Sequence, residues 1–492
     1  MQSPATFISR LMNISPVQRQ SLMVFGSTIF ITLAGFLSTV YFAHVLGPAP
    51  LGAYFLFLAY YGVFNLLGDG GFGGAAVKRI SEGKDQDEYF SAFVVIRVIL
   101  LAFTITILLC TEPYLKDLTG SGIFFWLLLA LVTSVFPNCV SSGVYGSGKV
   151  GIHQVCVVIE LVVRVLLQIT AVYLGYSIAG LAGGFVGGVI AGGIVNFRYL
   201  DQKLVRFSLT HVKNLSTFSF WIFLTSSGSL IFSYTDTILI GFYLNNSEVG
   251  IYRTALQLAS AGSFATLAFQ TVLYPKISSW AAQGQIPDIE KALARSCTYS
   301  LFLAIPTCIG GWILGERLLY YLYGASFAGG AVPLVFLLLI QVVNIFMFLG
   351  TMSLNALDHP RDAFMVTAVA ALVNIVLNIV LIPVMGITGA AVATLIAIAV
   401  NAMGAYILLS QVISVKIEYR PLKNILCAAG VMGIFLIMIP YLLPLSDIAI
   451  VLGTVIIGAG IYALLLLKLD QEIHDEIMNI GVSMGVPWPE WL

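Results

Sequence analysis

The sequence predicts an all-α polytopic membrane protein with about fourteen transmembrane helices, arranged as two pseudo-symmetric six-helix lobes plus a C-terminal helix pair. Only 9% of its 492 residues are charged and 59% are hydrophobic, whereas a soluble globular protein carries about 25% charged residues. Apolar runs follow one another, each near the length of roughly 20 residues that crosses a hydrocarbon core. An open sheet edge cannot be satisfied in lipid, so we expect helices rather than strands.

An internal repeat supports the two-lobe arrangement. The segment 234–255 reads YTDTILIGFYLNNSEVGIYRTA and contains VGIY, ending at Tyr252, while the similar LGAY ends at Tyr54. A repeat of this kind fixes the architecture before individual helices are assigned. Gly52 and Gly250 occupy equivalent places at the turns between spans, and we expect them to act as hinges.

The apolar runs predict fourteen helical spans, and the charges between them predict their orientation. Alternate connections hold eighteen Lys and Arg residues in one set and two in the other. Because Lys- and Arg-rich loops remain in the cytoplasm, we expect a multi-pass protein of the cell membrane with both termini cytoplasmic. The spans lie near 21–43, 51–76, 91–111, 123–146, 152–174, 177–199, 215–243, 251–275, 297–314, 328–352, 364–385, 387–410, 424–443 and 447–468.

These spans group into predicted domains joined by one basic linker. The linker carries Arg206 and Lys213 among apolar residues, so it either lies on the anionic inner leaflet or is a solvated connection. The net charge is zero, which gives no electrostatic case for a nucleic-acid partner, and we expect none. The domains are a cytoplasmic N-terminal segment (1–20), the N-lobe of spans 1–6 (21–199), the inter-lobe linker (200–214), the C-lobe of spans 7–12 (215–410), the peripheral spans 13 and 14 (411–468) and a cytoplasmic tail (469–492).

Charged residues inside the spans are the first candidates for function, because each costs at least about 2.5–3.5 kcal/mol near the bilayer centre. Three of them are arginines, in spans 3, 5 and 8: Arg97, Arg164 and Arg253. A guanidinium group can hold phosphate through two hydrogen bonds, so three arginines suit an anionic, phosphate-bearing cargo. A cavity for cationic drugs would instead favour carboxylates and aromatic rings.

Each arginine also has a purely structural interpretation. Glu160 and Arg164 are four residues apart on one helix and can form an ion pair along its face. Arg97 can pair with Asp69 at the inner end of span 2. Arg253 lies near the outer end of span 8, from which its side chain can extend to the membrane interface. The sequence leaves these alternatives open.

A second set of polar residues forms a candidate cation-coupling site. Span 7 contains Asp236 and offers no basic residue of its own, span 11 presents Asn374 and Asn378, and span 12 presents Thr394. Oxygen ligands of this kind can hold a small hard cation, although such residues also join helices in membrane bundles. We expect no cofactor and no firm metal site; Na⁺ and H⁺ are the candidate coupling ions.

The chain resembles the oligosaccharide (Wzx-type) flippases, or polysaccharide exporters, of the multidrug/oligosaccharidyl-lipid/polysaccharide flippase superfamily, which also contains the multidrug-and-toxin extruders and the lipid II flippases. The resemblance covers essentially the whole chain, and the set of motifs in order is more specific than any one of them. The motifs are VLGPAPLGAY (45–54), LGDGGFGGAAVKRIS (67–81), DTILIGFYLNNSEVGIYRTA (236–255), YPKIS (274–278), LYGASF (322–327) and NIVLNIVLIPVMGITGAAVAT (374–394).

The resemblance implies two six-helix lobes around a central cavity, alternating access and no ATP site. Lipid II flippases of this superfamily hold sodium between an aspartate of helix 7 and polar residues of helices 11 and 12, and Asp236, Asn374, Asn378 and Thr394 fall at similar places. Asn378 stands where a second carboxylate would be useful, which leaves one formal negative charge in the set. Span 1 has no acidic residue of the kind that drug extruders often carry.

The expected function is therefore transport rather than catalysis: a flippase that moves a lipid-linked, phosphate-bearing glycan to the outer leaflet. Its expected partners are the bilayer, the glycan substrate, and glycosyltransferases, a polymerase or an oligosaccharyltransferase. An ion-coupled antiporter of organic cations is the alternative, and would use Asp69, Glu160 and Asp236. A membrane glycan polymerase or ligase is a third class, weakened because the longest external connection (111–122) is too short for a catalytic domain.

Overall fold

The structure, a computed structural model, describes residues 16–114, 122–263, 273–274, 276–414, 419–443, 446–471, 473–475 and 478. This part of the chain is helical and contains no β-strand. The helices are α1 (Pro16–Leu46), α2 (Pro48–Asp69), α3 (Phe72–Ser81), α4 (Gln86–Thr111), α5 (Ile123–Gly146), α6 (Val150–Tyr173), α7 (Ile178–Phe197), α8 (Leu209–Tyr243), α9 (Asn246–Ala259), α10 (Ile286–Tyr323), α11 (Ala331–Ala356), α12 (Pro360–Met385), α13 (Ile387–Leu409), α14 (Tyr419–Leu442) and α15 (Ile448–Leu469).

Most of these helices are long and apolar enough to cross a membrane. Within the described ranges twelve qualify outright, and up to thirteen if α8, which bends by 48° after Gly228, counts as one span. The predicted all-α polytopic class is therefore confirmed, with a count close to the predicted fourteen. The predicted span 251–275 falls partly on 264–272 and 275, which lie outside the described residues.

The second predicted span (51–76) was wrong as a single helix. Helix α2 ends at Asp69, and Gly70 and Gly71 then adopt left-handed backbone conformations with φ of 57° and 78°. Glycine adopts these angles without the Cβ clash that other residues suffer. A short helix, α3, begins at Phe72, so the glycine pair separates a membrane helix from a shorter one.

Helix α10 is much longer than the predicted span 297–314. It begins at Ile286, twenty residues before Pro306, and ends at Tyr323. The prediction followed only the apolar run, whereas the polar first turns carry their own start signals. Pro287 lies in the first turn, where its missing N–H does no harm, and Asp288 complements the positive helix end.

The two copies of the sequence repeat meet at a close helix–helix contact. A Cβ added to Gly52 in α2 would collide with the backbone oxygen of Asn246 in α9, and one added to Gly250 would collide with that of Pro48. Pro48 and Asn246 are equivalent positions of the repeat, as are Gly52 and Gly250, so the contact is pseudo-symmetric. Neither glycine has a positive φ, and close backbone approach explains both; their role as hinges stays a prediction.

By packing, the chain divides into two compact units between Gly250 and Ile251. Helix α8 packs against α2, α3 and α4 and so belongs with the first unit. The predicted domain limits were drawn from the repeat and from hydropathy rather than from packing, and they stay a prediction.

The linker between α7 and α8 is attached to the start of α4. The backbone N–H of Lys203 donates to Asp87 Oδ1 at 2.9 Å, and that of Val205 donates to Ser91 Oγ at 2.8 Å. These bonds satisfy backbone donors that would otherwise need water. They fix the path of the linker but do not decide between the leaflet-bound and solvated interpretations.

In the second unit, the C-terminal helices α14 and α15 pack on α10. The Tyr462 hydroxyl of α15 donates to the Phe302 backbone oxygen of α10 at 2.8 Å. Met432 and Leu436 of α14 are buried in the same apolar cluster as Leu301. The helix pair is thus anchored along one side, while its other side is left exposed.

Candidate functional site

One face of α2 carries a row of polar side chains through the interior of the first unit. Tyr54, Tyr61, Asn65 and Asp69 are spaced by seven, four and four residues, which places them along the same face of a helix. Tyr54 is 8% exposed. Polar groups buried in this way need partners, because an unsatisfied group in an apolar setting is costly. We call this row the α2 polar face.

At the C-terminal end of α2, the α2 polar face meets Arg97 of α4, whose guanidinium group is held by several hydrogen bonds. Its Nη1 donates to Asp69 Oδ1 at 2.7 Å and its Nη2 donates to Asn65 Oδ1 at 2.6 Å. Asn138 of α5 donates to the same Asn65 oxygen at 3.3 Å. Arg97 is only 2% exposed, so its charge is neutralised and enclosed.

Asp69 has a second task in this network. Both of its carboxylate oxygens accept the backbone N–H of Gly73, at 3.2 Å, in the first turn of α3. A carboxylate at a helix start satisfies an otherwise unpaired donor and complements the helix dipole. Asp69 therefore joins α2, α3 and α4, and the pairing with Arg97 that the sequence left open is formed.

Further along the α2 polar face, α6 packs closely on a row of glycines in α7. A Cβ added at Gly188 would lie 2.6 Å from Arg164 Cβ, and one at Gly192 would lie 2.9 Å from Glu160 Cβ. A Cβ at Gly184 would collide with Gln168. Small residues allow membrane helices to approach this closely, and here they fix the positions of Glu160, Arg164 and Gln168.

Arg164 differs from Arg97 in its surroundings. It is half-buried, and its guanidinium carbon lies 5.9 Å from the ring centroid of Phe185. In the described part of the chain it has no ion-pair partner, and Glu160, also half-buried, does not pair with it. Arg164 therefore retains a charge that an anionic ligand can use.

Gln168 connects Arg164's helix to the α2 polar face. Its Nε2 donates to the Tyr54 hydroxyl at 3.0 Å and to the Leu181 backbone oxygen at 2.8 Å. Phe185 stacks edge-on against Tyr61 with ring centroids 5.0 Å apart. Gln168, Phe185 and Tyr61 thus connect Arg164 and its helix to the α2 polar face.

Four members of this region were not predicted from the sequence: Asn65, Asn138, Gln168 and Phe185. The first three are amides inside apolar spans, which is itself a signal, because a buried amide in a membrane helix asks for a partner. The α7 glycines are spaced four residues apart, a second signal of close packing. Phe185 carries no comparable signal, since aromatic residues are common in this chain.

Among the predicted cation-coupling residues, three lie together on α12 and α13. Asn374 donates to Thr394 Oγ1 at 2.9 Å, and Asn378 donates to the Asn374 backbone oxygen at 2.9 Å. Asn374 is 1% exposed, and its Oδ1 has no hydrogen-bond partner among the described residues. The group is neutral, and the described part of the chain holds no cluster of three His, Cys, Asp or Glu side chains fit for a metal.

The two remaining candidate residues, Asp236 and Arg253, each interact with other residues of the protein. Asp236 is 6% exposed within α8 and belongs to the first unit, whereas Arg253 is half-buried in α9 and belongs to the second. The roles of all the candidate site residues stay predictions.

The fold defines a helical multi-span membrane protein, and comparison with known proteins gives its family. A family described as "Polysaccharide biosynthesis protein" matches residues 17–280. The chain belongs to this family. The resemblance stated from the motifs is thereby confirmed, and with it the assignment to a flippase superfamily rather than to an enzyme.

Two relatives come from Haloferax volcanii. The "Probable low-salt glycan biosynthesis flippase Agl15" is 28% identical over 408 residues, covering 82% of this chain and 85% of the relative. The "Probable flippase AglR" is 26% identical over 476 residues, covering 95% of this chain and 99% of the relative. The similarity to both extends over most of their length.

Two solved structures share the fold. "Lipid II flippase MurJ, inward closed conformation" aligns with a TM-score of 0.78 at 18% identity, over 92% of this chain and 99% of that one. An inward-facing multidrug resistance MATE family transporter of the MOP superfamily aligns with a TM-score of 0.66 at 15% identity, over 78% and 94% of the two chains. At these identities the likeness concerns the fold.

Proposed function

We propose that this chain translocates a lipid-linked oligosaccharide, carried on polyprenyl or dolichyl phosphate, from the cytoplasmic to the outer leaflet by alternating access. The product would serve the assembly of a cell-surface polysaccharide or of protein-linked glycans. The observation that carries the proposal is Arg164, a half-buried cation without an ion-pair partner among the described residues. The printed names of the Haloferax volcanii relatives support the same substrate class.

The physical problem for such a protein is the glycan headgroup. Each hydroxyl group left without a hydrogen bond in hydrocarbon costs several kcal/mol, so a sugar chain cannot cross the bilayer unaided. Polar and aromatic side chains such as those of the α2 polar face replace part of the lost water. The carrier's apolar tail needs no such help and stays in the lipid.

The two arginines of the first unit take different parts in this proposal. Arg164 contacts the carrier phosphate, because its guanidinium keeps donors that no carboxylate occupies. Arg97 is a positioning residue, since Asp69 and Asn65 already hold its donors at 2.7 and 2.6 Å. Arg253 is the proposed second phosphate contact, on the other repeat.

Ion coupling is a further part of the proposal. Asp236, Asn374, Asn378 and Thr394 are the candidate ligands for Na⁺, or for a coupled proton at Asp236. The unpartnered Asn374 Oδ1 supports this, because a buried acceptor without a donor suits a cation. Cytoplasmic termini in the cell membrane, and contact with glycosyltransferases, a polymerase or an oligosaccharyltransferase, complete the proposal.

The test uses purified protein in liposomes that contain a polyprenyl-phosphate-linked sugar. Headgroup exposure to an external reagent is followed with and without a sodium gradient. A charge-assisted hydrogen bond contributes about 1.5–3 kcal/mol, so Arg164→Gln should slow translocation roughly 10- to 150-fold. Arg198→Gln, which removes an exposed arginine directly after α7, is the matched control and should leave the rate unchanged.

Several outcomes would contradict the proposal. Translocation by Arg164→Gln at the wild-type rate would remove its role as a phosphate contact. Movement of an organic cation instead of the glycan would support the antiporter. Sodium dependence that survives Asp236→Ala would place the coupling ion elsewhere.

A further inference from the structure

A polar cavity lies at one end of the C-terminal helix pair, and none of its lining residues belongs to the candidate sites described above. It measures about 690 Å³ and is formed by the first turns of α14 and the last turn of α15 with the residues that follow. Because the two helices are antiparallel, the start of one and the end of the other lie on the same side of the membrane. Tyr419, Arg420, Asn424, Lys468 and Asp470 line the cavity.

Two cationic side chains, Arg420 and Lys468, line the cavity. Arg420 and Lys468 are exposed, and neither forms an ion pair with any described residue. Asp470 is 6% exposed and is already engaged: it accepts the Asn424 amide at 3.0 Å and the Ile473 backbone N–H at 3.2 Å. Its charge reduces the positive charge of the cavity without cancelling it, which leaves a site suited to a monoanion.

The walls of this cavity are fixed by direct bonds between the two helices. Besides its bond to Asp470, Asn424 of α14 donates to the Leu469 backbone oxygen of α15 at 3.2 Å. A cavity held open by its own hydrogen bonds is ready for a ligand without rearrangement, which favours binding. Its volume falls within the range of about 300–1,000 Å³ that is usual for small-molecule sites.

An exposed apolar surface extends from the cavity along α14. Leu426, Ile434 and Met438 are 51%, 62% and 56% exposed and lie on one side of the helix. Gly430 stands between the first two, with open space where a side chain would be. At the helix start Tyr419 is 81% exposed, as is common for tyrosine at the membrane interface.

We propose that this cavity binds the phosphate headgroup of an anionic membrane lipid, with an acyl chain lying along the exposed face of α14. Arg420 donates two hydrogen bonds to the phosphodiester and Lys468 supplies a point charge. Basic pockets between membrane helices bind anionic headgroups by this chemistry. Lipid binding at this cavity does not depend on the transported substrate, so it can be tested separately from the proposed function.

The test measures binding of fluorescent phosphatidylglycerol to the purified full-length protein in detergent. Each cation near an anionic lipid strengthens binding about fivefold, so Arg420→Ala/Lys468→Ala should weaken it about 30-fold. Lys468→Gln alone should weaken lipid binding about fivefold, and this single variant replaces the double variant in the test if the double variant does not fold. Lys423→Ala is the matched control: it removes an exposed cation from the same helix, outside the cavity lining, and should leave binding unchanged.

Three results would overturn the inference. Unchanged affinity in the folded double variant or in Lys468→Gln would remove the cavity as the binding site. An equal loss in Lys423→Ala would assign binding to diffuse surface charge. Competition by chain-free glycerol phosphate at the same concentration as the lipid would assign the site to a soluble phosphate.

Discussion

Adding one methyl group at Gly188 tests how closely α6 and α7 must approach. In Gly188→Ala the new Cβ would lie 2.6 Å from Arg164 Cβ and 2.8 Å from the Glu160 backbone oxygen. Carbon atoms pack at about 3.5–4.0 Å, so the helices must separate by roughly 1 Å. Neither contacting atom can rotate away, because one is backbone and the other is attached directly to it. Overpacking of this kind destabilises a protein by about 1–3 kcal/mol.

The assay is thermal unfolding of the purified protein in detergent, and the measured quantity is the fraction of protein that stays monodisperse at each temperature. A loss of 1 kcal/mol lowers the unfolding temperature of a unit of about 250 residues by about 2–4 °C, so we expect a drop of about 2–12 °C. Gly187→Ala is the matched control on the same helix, because its Cβ would meet only the flexible tip of Leu167 at 2.5 Å. Gly35→Ala, with nothing within 4 Å, is the open-space control. A Gly188→Ala protein as stable as both controls would refute the close-packing argument.

Three further predictions concern contacts within one unit or the other. Asp69→Asn leaves the buried Arg97 without its counter-ion and should cost about 3–5 kcal/mol of stability. The double variant Asp69→Asn/Arg97→Gln should recover part of this lost stability in thermal unfolding. If the double variant recovers none of it, the pairing is contradicted. Asn374→Leu removes the 2.9 Å bond to Thr394 and should cost about 1 kcal/mol, measured the same way; a more stable variant would contradict a structural role for this bond. Gly52→Leu should prevent the close approach of α2 and α9, so a cysteine pair across this contact should cross-link less than in the wild type, and equal cross-linking would show that the contact tolerates a side chain.

Hydropathy alone placed most of the helices. Span 5 was predicted at 152–174 and is found at Val150–Tyr173, and span 6 at 177–199 is found at Ile178–Phe197. The agreement has a physical cause, because the thickness of the hydrocarbon core sets the length of each apolar run. Where structure depends on backbone conformation instead, as at Gly70 and Gly71, hydropathy carried no information. The start of α10 was missed for a different reason, because its first turns are polar and lie outside the apolar run.

The sequence could place Glu160 and Arg164 on one face of a helix but could not decide whether they pair. That depends on the partner helix, since the two side chains lie over the Gly188 and Gly192 backbone of α7. The spacing of those glycines was visible in the sequence, yet which residues they faced was not. Long-range packing of this kind has no local signature.

Arg97 and Arg164 show why residue type alone does not assign a role in this protein. Both are arginines inside apolar spans, and both suggested a phosphate contact. Arg97 is 2% exposed and bonded to Asp69 and Asn65, so releasing its donors to a ligand would leave the half-buried Asp69 carboxylate without its counter-ion, which is unfavourable. Arg164 faces no such penalty, because Phe185 is an aromatic ring that stabilises the cation without occupying its hydrogen-bond donors. An anion that reaches Arg164 can bind guanidinium donors that no described carboxylate holds, and this difference directs the search for cargo contacts to α6.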